Sequence, residues 1–340
     1  MQRCIELAQR GLGNVAPNPM VGCVIVHEEK IIGEGYHEEY GKAHAEVNAI
    51  NSVENKSLLK RSTLYVNLEP CSHYGKTPPC AELITYHKIP YVVIGCKDSN
   101  ELVKGKGIEK LIKGGTDVKI GILEEECREL NKRFFIFHEQ KRPYVILKWA
   151  QTADDFIARN ASEKAEWISN IASKKLAHQW RSEEQAILVG TNTVMKDDPQ
   201  LTVREHKGKN PLRIFIDKNL KIPAHYRLLD NSAPTLIFNS KKNSKEDLNE
   251  FIQIDLTENT EEQILNILFK KNISSLIIEG GTLLLNSFIK KNLWDEARIF
   301  TSHKKFSSGI FAPSLSANSI LKENNFIESD NLKIFYRGRE

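Results

Sequence analysis

Between Ala43 and Cys80 the chain carries one imidazole, two thiols and a carboxylate at spacings that suit a hydrolytic metal centre. The stretch opens with Ala43-His44-Ala45-Glu46 and closes with Leu68-Glu69-Pro70-Cys71-Ser72-His73-Tyr74-Gly75-Lys76-Thr77-Pro78-Pro79-Cys80. His44, Cys71 and Cys80 are ligands of the kind that hold zinc (Zn2+) tetrahedrally, with the fourth position left to water. Glu46 could then sit beside that water and carry its proton, which a catalytic centre needs and a structural one does not. Recruiting His73 as a fourth ligand would instead close the site and make it structural, and the residues alone leave both readings open.

The positions of these groups constrain the elements that must carry them. Residues two apart face different sides of a helix, so His44 and Glu46 fit a helix start, with the imidazole turned to the metal and the carboxylate flanking the water. Cys80 follows Pro78-Pro79 and precedes an apolar-periodic run, which reads as a helix N-terminus whose field favours a thiolate. Thr63 to Asn67 reads as a buried strand that delivers Cys71, and Tyr91 to Cys96 as a second, with Asp98 and Asn100 on the rim beyond it. Residues 1–12, Lys106 to Lys113 and Glu124 to Phe137 read as helices, and Val21–Val26 with Lys30–Tyr36 as a hairpin. Asn18, fixed between Pro17 and Pro19, suits an amide that reads a base edge. His37, after a strand, could bind substrate or be a satisfied structural histidine. Strands alternating with helices predict an α/β arrangement with the metal at strand C-terminal ends.

A polar, proline-punctuated joint, Gln140-Lys141-Arg142-Pro143, separates this half from a second. There Tyr144–Ala150, Ala186–Gly190, Leu212–Asp217, Thr235–Phe238, Ser275–Glu279, Ala297–Thr301 and Leu332–Tyr336 read as strands, and Ser173–Arg181, Glu261–Lys271 and Thr282–Lys290 as helices. Lys241 to Lys245 reads as a solvated loop. Gly280-Gly281 opens a helix directly after a buried strand, where backbone N–H groups and the helix field suit a phosphate. Gly190-Thr191-Asn192-Thr193 is a second such turn, and two in one domain fit a dinucleotide better than a lone phosphate.

At 340 residues the chain suggests two domains, and 40% hydrophobic with 27% charged residues is ordinary for globular cores. A net charge of +4 is too mild to argue for nucleic acid, yet it does not repel phosphorylated ligands. No apolar run reaches membrane-span length, and the first residues lack a signal-peptide core. Six cysteines in so long a chain do not make a disulfide scaffold, and zinc-bound thiolates need a reducing compartment, so a cytoplasmic enzyme is expected.

His44-Ala45-Glu46 with Pro70-Cys71 resembles the zinc nucleobase deaminases. The second cysteine, nine positions on, is similar to the deaminase half of the bifunctional riboflavin-biosynthesis deaminase–reductase family. Matches to that family continue through Leu147-Lys148, Trp167-Ile168-Ser169, Asp197 to Arg204 and Glu279-Gly280-Gly281. The resemblance implies a cytidine-deaminase-like three-layer α/β/α domain over residues 1–142, followed by a dihydrofolate-reductase-like α/β domain over 143–340. It implies His44, Cys71 and Cys80 as zinc ligands and Glu46 as proton shuttle. It further implies Asn18, His37, His73, Lys76, Asp98 and Asn100 as substrate contacts of the deaminase.

For the reductase, the resemblance implies NADPH held by Ala150, Trp167, Thr193, Asp197, Gly280, Gly281 and Thr282. Substrate would be held by Lys148, Asp154, Arg181, Leu201, Arg204 and Glu279. The expected substrate is a small phosphorylated pyrimidine, 2,5-diamino-6-ribosylamino-4(3H)-pyrimidinone 5′-phosphate, with no nucleic acid or membrane partner and a homo-oligomer formed through the reductase domain. Two residues depart from the family pattern. Asp155 stands where a glycine is usual, which predicts a backbone change, and Ala165 stands where a serine is usual. They motivate an alternative in which the chain is a deaminase with a degenerate reductase half.

Overall fold

Apolar runs punctuated by glycine, proline and asparagine build a five-stranded sheet in one compact unit, Met1–Lys141, and a ten-stranded sheet with a separate two-stranded one in the other, Arg142–Glu340. The computed structural model describes residues 1–74, 78–101, 103–159 and 166–338.

The first unit runs α1 (Gln2–Gln9), β1 (Gly22–His27), β2 (Lys30–Tyr36), α2 (Ala45–Ser52), β3 (Thr63–Leu68), α3 (Cys80–Tyr86), β4 (Tyr91–Cys96), α4 (Lys106–Lys113), β5 (Asp117–Ile120), α5 (Glu124–Leu130) and α6 (Lys132–Gln140). The sheet order is β2-β1-β3-β4-β5, with the β1–β2 hairpin antiparallel and β3, β4 and β5 parallel. Alternation along each strand sends side chains to both faces. Cys23, Ile25, Leu64, Val66, Val92 and Ile94 pack against α2, α3 and α4. Val24 meets α1 on the opposite side, and Leu68 and Cys96 meet α5 and α6 there. The result is a three-layer α/β/α unit with β3 and β4 ending at the same rim.

The segment 124–137 is two helices rather than one. The break falls at Asn131, a buried residue whose amide accepts the Met20 N–H at 2.8 Å and donates to the Met20 carbonyl at 2.9 Å. Buried Asn67 does the same work from β3, accepting the Gly22 N–H and donating to Met20 O. Two asparagines thereby satisfy the backbone that leads from Asn18 into β1, a use no periodicity announces. The strand β5 was not expected because its residues alternate half-buried and exposed.

The second unit runs β6 (Tyr144–Gln151), β7 (Phe156–Ala158), α7 (Ile171–Glu183), β8 (Ala186–Val189), α8 (Thr191–Asp197), β9 (Leu212–Ile216), β10 (Thr235–Asn239), β11 (Ser244–Glu246), β12 (Asn249–Gln253), α9 (Thr260–Lys270), β13 (Ser275–Glu279), α10 (Thr282–Lys290), β14 (Glu296–Thr301), β15 (Ile310–Phe311), β16 (Ile320–Ile327) and β17 (Asp330–Tyr336). A ten-stranded sheet has the order β11-β12-β10-β9-β8-β13-β6-β14-β17-β16. Its strands from β12 to β14 are parallel, and the outermost pairs are antiparallel. Leu147, Leu188, Ile214, Leu236 and Ile278 form a core with Leu265, Leu285 and Phe288 of α9 and α10. The lysine-rich stretch read as a loop contributes β11 at its end, because Ser244 to Glu246 pair with β12. β16 was not expected, since nearly every residue in it is exposed.

The turn at Thr152–Asp155 keeps the geometry a glycine would give. Asp155 itself adopts the left-handed conformation, φ 63°, and its N–H donates to Thr152 O at 3.0 Å. Aspartate is among the few side-chain-bearing residues that tolerate this region, so the expected backbone change does not occur.

In the first unit Gly35 sets how closely α2 can approach β2. A Cβ there would lie 2.3 Å from Ala49 N and 2.7 Å from Ala45 O, both backbone atoms. Gly35→Ala should therefore lever α2 outward, lowering stability by about 1–3 kcal/mol in thermal or denaturant unfolding and reducing zinc content by displacing His44.

Candidate active sites

His44 is the N-cap of α2, with extended backbone (φ −75°, ψ 164°) and no capping hydrogen bond from its side chain. The ring is turned away to the sulfurs instead, with Nδ1 3.3 Å from Cys80 Sγ and 3.5 Å from Cys71 Sγ. Cys80 is the first residue of α3, after Pro79, and its backbone N–H donates to Cys71 Sγ at 3.3 Å. The ligating atoms of His44, Cys71 and Cys80 lie within 4.8 Å of one another, and among the described residues no fourth His, Cys, Asp or Glu joins them. His73 is exposed and outside the cluster, which removes the closed-site reading.

The electrostatics fit a cation. Hydrogen bonding from Cys80, then from His44, pulls the Cys71 thiol down to about 4 despite burial. The hydrogen bond to Cys71, together with burial, pushes Cys80 well up. The two sulfurs thus hold one proton between them, and a divalent ion would displace it. Two sulfurs and one imidazole nitrogen this close are a donor set suited to zinc. Glu46, in the first turn of α2, is buried, and burial raises its pKa, leaving a carboxyl able both to hold and to yield a proton.

The expected substrate residues of this unit divide. His37 is buried, with Nδ1 at 3.0 Å from the Ala43 carbonyl and Nε2 at 3.2 Å from the Asn18 amide nitrogen. Both ring nitrogens have protein partners, as the satisfied-histidine alternative expects: His37 orients Asn18 and packs edge-on against His44, ring centroids 5.5 Å apart. The pairing turns the Asn18 amide nitrogen toward the protein and leaves its carbonyl oxygen as the acceptor. Asp98 and Asn100 follow β4, where the Asn100 N–H donates to Asp98 Oδ1 at 2.6 Å. Burial raises the Asp98 carboxyl to about 7. Lys76 lies outside the described residues.

Glu69, two residues before Cys71, escaped the sequence reading. Its buried carboxylate accepts four backbone N–H groups: Asp98 at 3.3 Å, Gly105 and Gly107 at 3.1 Å, and Ile108 at 3.3 Å. It ties the ligand loop to the Asp98 rim and caps α4, and a Cβ on Gly107 would meet Pro70 O at 2.0 Å. Only its place beside Pro70-Cys71 could have signalled it. Glu69→Ala strands four donors and should cost about 3 kcal/mol or more, read as a lower thermal midpoint.

In the second unit a cavity of about 970 Å³ opens at the C-terminal ends of β6, β8, β9 and β13. Its wall includes Lys148, Ala150, Trp167, Thr193, Asp197, Arg181, Leu201, Arg204, Glu279, Gly280, Gly281 and Thr282. Gly280 and Gly281 take φ 80° and 57° to enter α10, and a Cβ on Gly280 would come within 2.9 Å of Thr193 Oγ1. The close approach brings the α10 N-terminus against the start of α8. Glu279 grips Arg181 in a two-pronged pair, at 3.1 Å to Nε and 2.6 Å to the terminal nitrogen. Burial would raise the Glu279 carboxyl, but the charges of Arg181 and Lys148 outweigh it and hold the group at about 2. Burial in turn lowers the Lys148 ammonium.

Asp154 is the exception among the expected residues. It does not line the cavity; its carboxylate is committed to the Thr152 hydroxyl and to the N–H groups of Phe306 and Ser307, so the expected substrate contact is corrected to a turn support. Ala165 lies outside the described residues. The wall also holds Arg159, Lys174, His178, Lys196 and Arg227, which the sequence reading did not single out. Lys174, His178 and Arg181 at i, i+4 and i+7 on α7 were a readable signal of one basic face. Seven cations against Glu166, Asp197 and Glu279, beside two helix starts, suit a phosphorylated dinucleotide with a phosphorylated co-substrate.

Comparison with known proteins finds a match to each half of the chain. Residues 1–96 match the cytidine and deoxycytidylate deaminase zinc-binding region, and residues 143–304 match the RibD C-terminal domain. The chain is 43% identical over 325 residues to riboflavin biosynthesis protein RibD of Aquifex aeolicus, covering 94% of this chain and 90% of that one. The Bacillus amyloliquefaciens protein of the same name is 41% identical over 324 residues, 93% and 86% of the two chains. A crystal structure of a diaminohydroxyphosphoribosylaminopyrimidine deaminase/5-amino-6-(5-phosphoribosylamino)uracil reductase from Thermotoga maritima superposes with a TM-score of 0.89 at 36% identity, covering 99% of this chain and 97% of that one. Acinetobacter baumannii RibD gives 0.89 at 31% identity, with 99% and 98% covered. The deaminase-only alternative finds no support, because the match extends through both halves. A zinc-binding, cytidine-deaminase-like unit followed by a dihydrofolate-reductase-like unit of the NADPH-dependent type is what these matches describe, and the chain belongs to the family of bifunctional riboflavin-biosynthesis deaminase–reductases, the RibD family.

Proposed function

We propose that this chain performs two successive reactions on one phosphorylated pyrimidine, assigned to residues 1–142 and 143–340. The first is hydrolytic deamination of diaminohydroxyphosphoribosylaminopyrimidine, and the second is reduction of 5-amino-6-(5-phosphoribosylamino)uracil at its sugar. The observation that carries the reading is the His44–Cys71–Cys80 cluster with the buried Glu46 carboxyl two residues from its histidine.

In the first reaction a C–O bond forms and a C–N bond breaks at C2 of the ring, so water is consumed and ammonia leaves. His44, Cys71 and Cys80 hold zinc, which when bound supplies Lewis acidity and lowers the pKa of water. Glu46 takes the proton from the attacking water and returns it to the departing amine, a cycle favoured by its raised pKa. The Asn18 carbonyl oxygen, aimed by His37, accepts from the ring edge. His73, Lys76, Asp98 and Asn100 receive the ribosyl phosphate at the rim.

In the second reaction the ribosylamine opens to its imine, C1 gains a hydride and the imine nitrogen gains a proton, leaving a ribityl chain still attached through that nitrogen. NADPH supplies the hydride when bound. Gly280, Gly281 and Thr282 present backbone N–H groups and the α10 field to its phosphates, while Ala150, Trp167, Thr193 and Asp197 orient the rest. Lys148, Arg181, Leu201 and Arg204 surround the sugar phosphate. Glu279 keeps Lys148 and Arg181 in place by balancing their charge.

No helix among the described residues is long and apolar enough to cross a membrane. Zinc-bound thiolates favour a reducing, cytoplasmic setting. The exposed edge strand β16, with Ile320, Leu321 and Phe326 open to solvent, supports pairing of copies through the second unit.

Mass analysis of products tests the sequence of steps. Without NADPH the deaminated uracil compound should accumulate, and with NADPH it should become heavier by a hydride and a proton. Glu46→Gln should keep zinc bound yet lower deamination by about a hundredfold or more, with NADPH oxidation on supplied deaminated substrate retained. Near-normal ammonia release by that variant would remove Glu46 from the mechanism.

A further inference from the structure

The second-unit cavity contains one imidazole, His178, to which the roles above give no task. It lies on α7 four residues after Lys174 and three before Arg181, so the three share a helix face, and all line the cavity. Its side chain is buried, and Nδ1 accepts the backbone N–H of Arg204 at 3.1 Å. A neutral ring that accepts at Nδ1 carries its proton at Nε2. Among the described residues no protein partner is found for Nε2.

We propose that His178 binds the substrate of the reduction: anchored through Nδ1 to the Arg204 backbone, it offers Nε2–H as an uncharged donor to a phosphate oxygen held by Arg181 and Arg204. The proposal rests on the reductase reading above. Burial, then the charges of Arg181 and Arg204, push the ring pKa down to about 4, against the opposing pull of Glu279 and Glu205. The imidazole therefore stays neutral at working pH. The neutrality has a use, because Lys148, Lys174, Arg181 and Arg204 already line this wall. A further cation would repel them, whereas a neutral N–H adds a hydrogen bond to the anion without that cost. The contact to Arg204 N–H also fixes the segment whose guanidinium is braced by Gln200 Oε1 and Thr202 Oγ1.

Two amide substitutions separate the two ring nitrogens. Asparagine keeps an acceptor where Nδ1 lies and loses the donor at Nε2, while glutamine reaches the Nε2 position with a donor and gives up the anchor. With full-length protein, NADPH and supplied deaminated substrate, His178→Asn should raise the substrate KM about tenfold or more, as expected for one hydrogen bond to a charged group. The KM for NADPH and the thermal midpoint should stay near wild type, and His178→Gln should recover much of the substrate KM. A merely structural histidine predicts the opposite ranking, since asparagine preserves the hydrogen bond to the Arg204 N–H. Wild-type substrate KM in His178→Asn, or a glutamine variant no better than the asparagine one, overturns the proposal. Failure of the wild type to oxidise NADPH with this substrate overturns the underlying reductase reading as well, which distinguishes the two failures.

Discussion

Two thiols and an imidazole within 4.8 Å cannot each keep its solution protonation state, and the first unit is arranged to hold them there. The hydrogen bonds among them pull Cys71 down to about 4 while Cys80 is driven up, a donor set that suits a divalent cation. Three separate elements keep the groups from relaxing apart. The α2 N-cap brings His44, the end of β3 brings Cys71, and the start of α3 brings Cys80 with its own N–H aimed at the partner sulfur. Behind them Gly35 lets α2 lie against the sheet, and Glu69 gathers four backbone donors to lock the loop onto α4.

The second unit solves a different electrostatic problem. Its cavity must accept phosphates, so it needs cations, yet Lys148 and Arg181 are taken largely out of water. Glu279 makes that tolerable, since a carboxylate held at about 2 stays charged and balances both. The arrangement also rations donors. Arg181 gives part of its guanidinium to Glu279, which leaves the remaining N–H groups and neighbouring Arg204 to face a ligand. Both units put their chemistry where parallel strands end, because there the carboxyl ends of strands meet helix starts and unpaired N–H groups converge.

Much of this was readable in the sequence wherever residue type alone dictates conformation. Pro78-Pro79 before Cys80 announces a helix start, Gly280-Gly281 just after the Leu276–Ile278 apolar run announces a strand-to-helix turn, and the largely buried β4 with the fully buried β8 and β13 announce themselves by composition. The ligand set was legible because zinc accepts few residue types. What stayed hidden depends on partners distant in the chain. Asn131 reads as a helix residue until Met20, more than a hundred positions earlier, claims its amide. His37 reads as a ligand candidate until Ala43 and Asn18 occupy both nitrogens. Asp154 looks like a wall residue until the N–H groups of Phe306 and Ser307 take its carboxylate. β16 escapes because an edge strand exposed on both faces has no burial pattern to read.

Asp155 shows why a departure from a family pattern is not a departure in structure. A glycine is usual at a turn because φ is positive there, and the relevant question is whether the replacement can pay the same conformational toll. Aspartate can, at φ 63°, and its Oδ1 gains a hydrogen bond from Gln151 Nε2 at 2.6 Å that glycine could not accept. The neighbouring Asp154 still reaches Phe306 and Ser307, so the segment that closes β6 against the 302–307 loop is intact. Asp155, one of the two departures that suggested a degenerate second half, therefore leaves its turn unaltered, and the family match running through both halves gives that alternative no support.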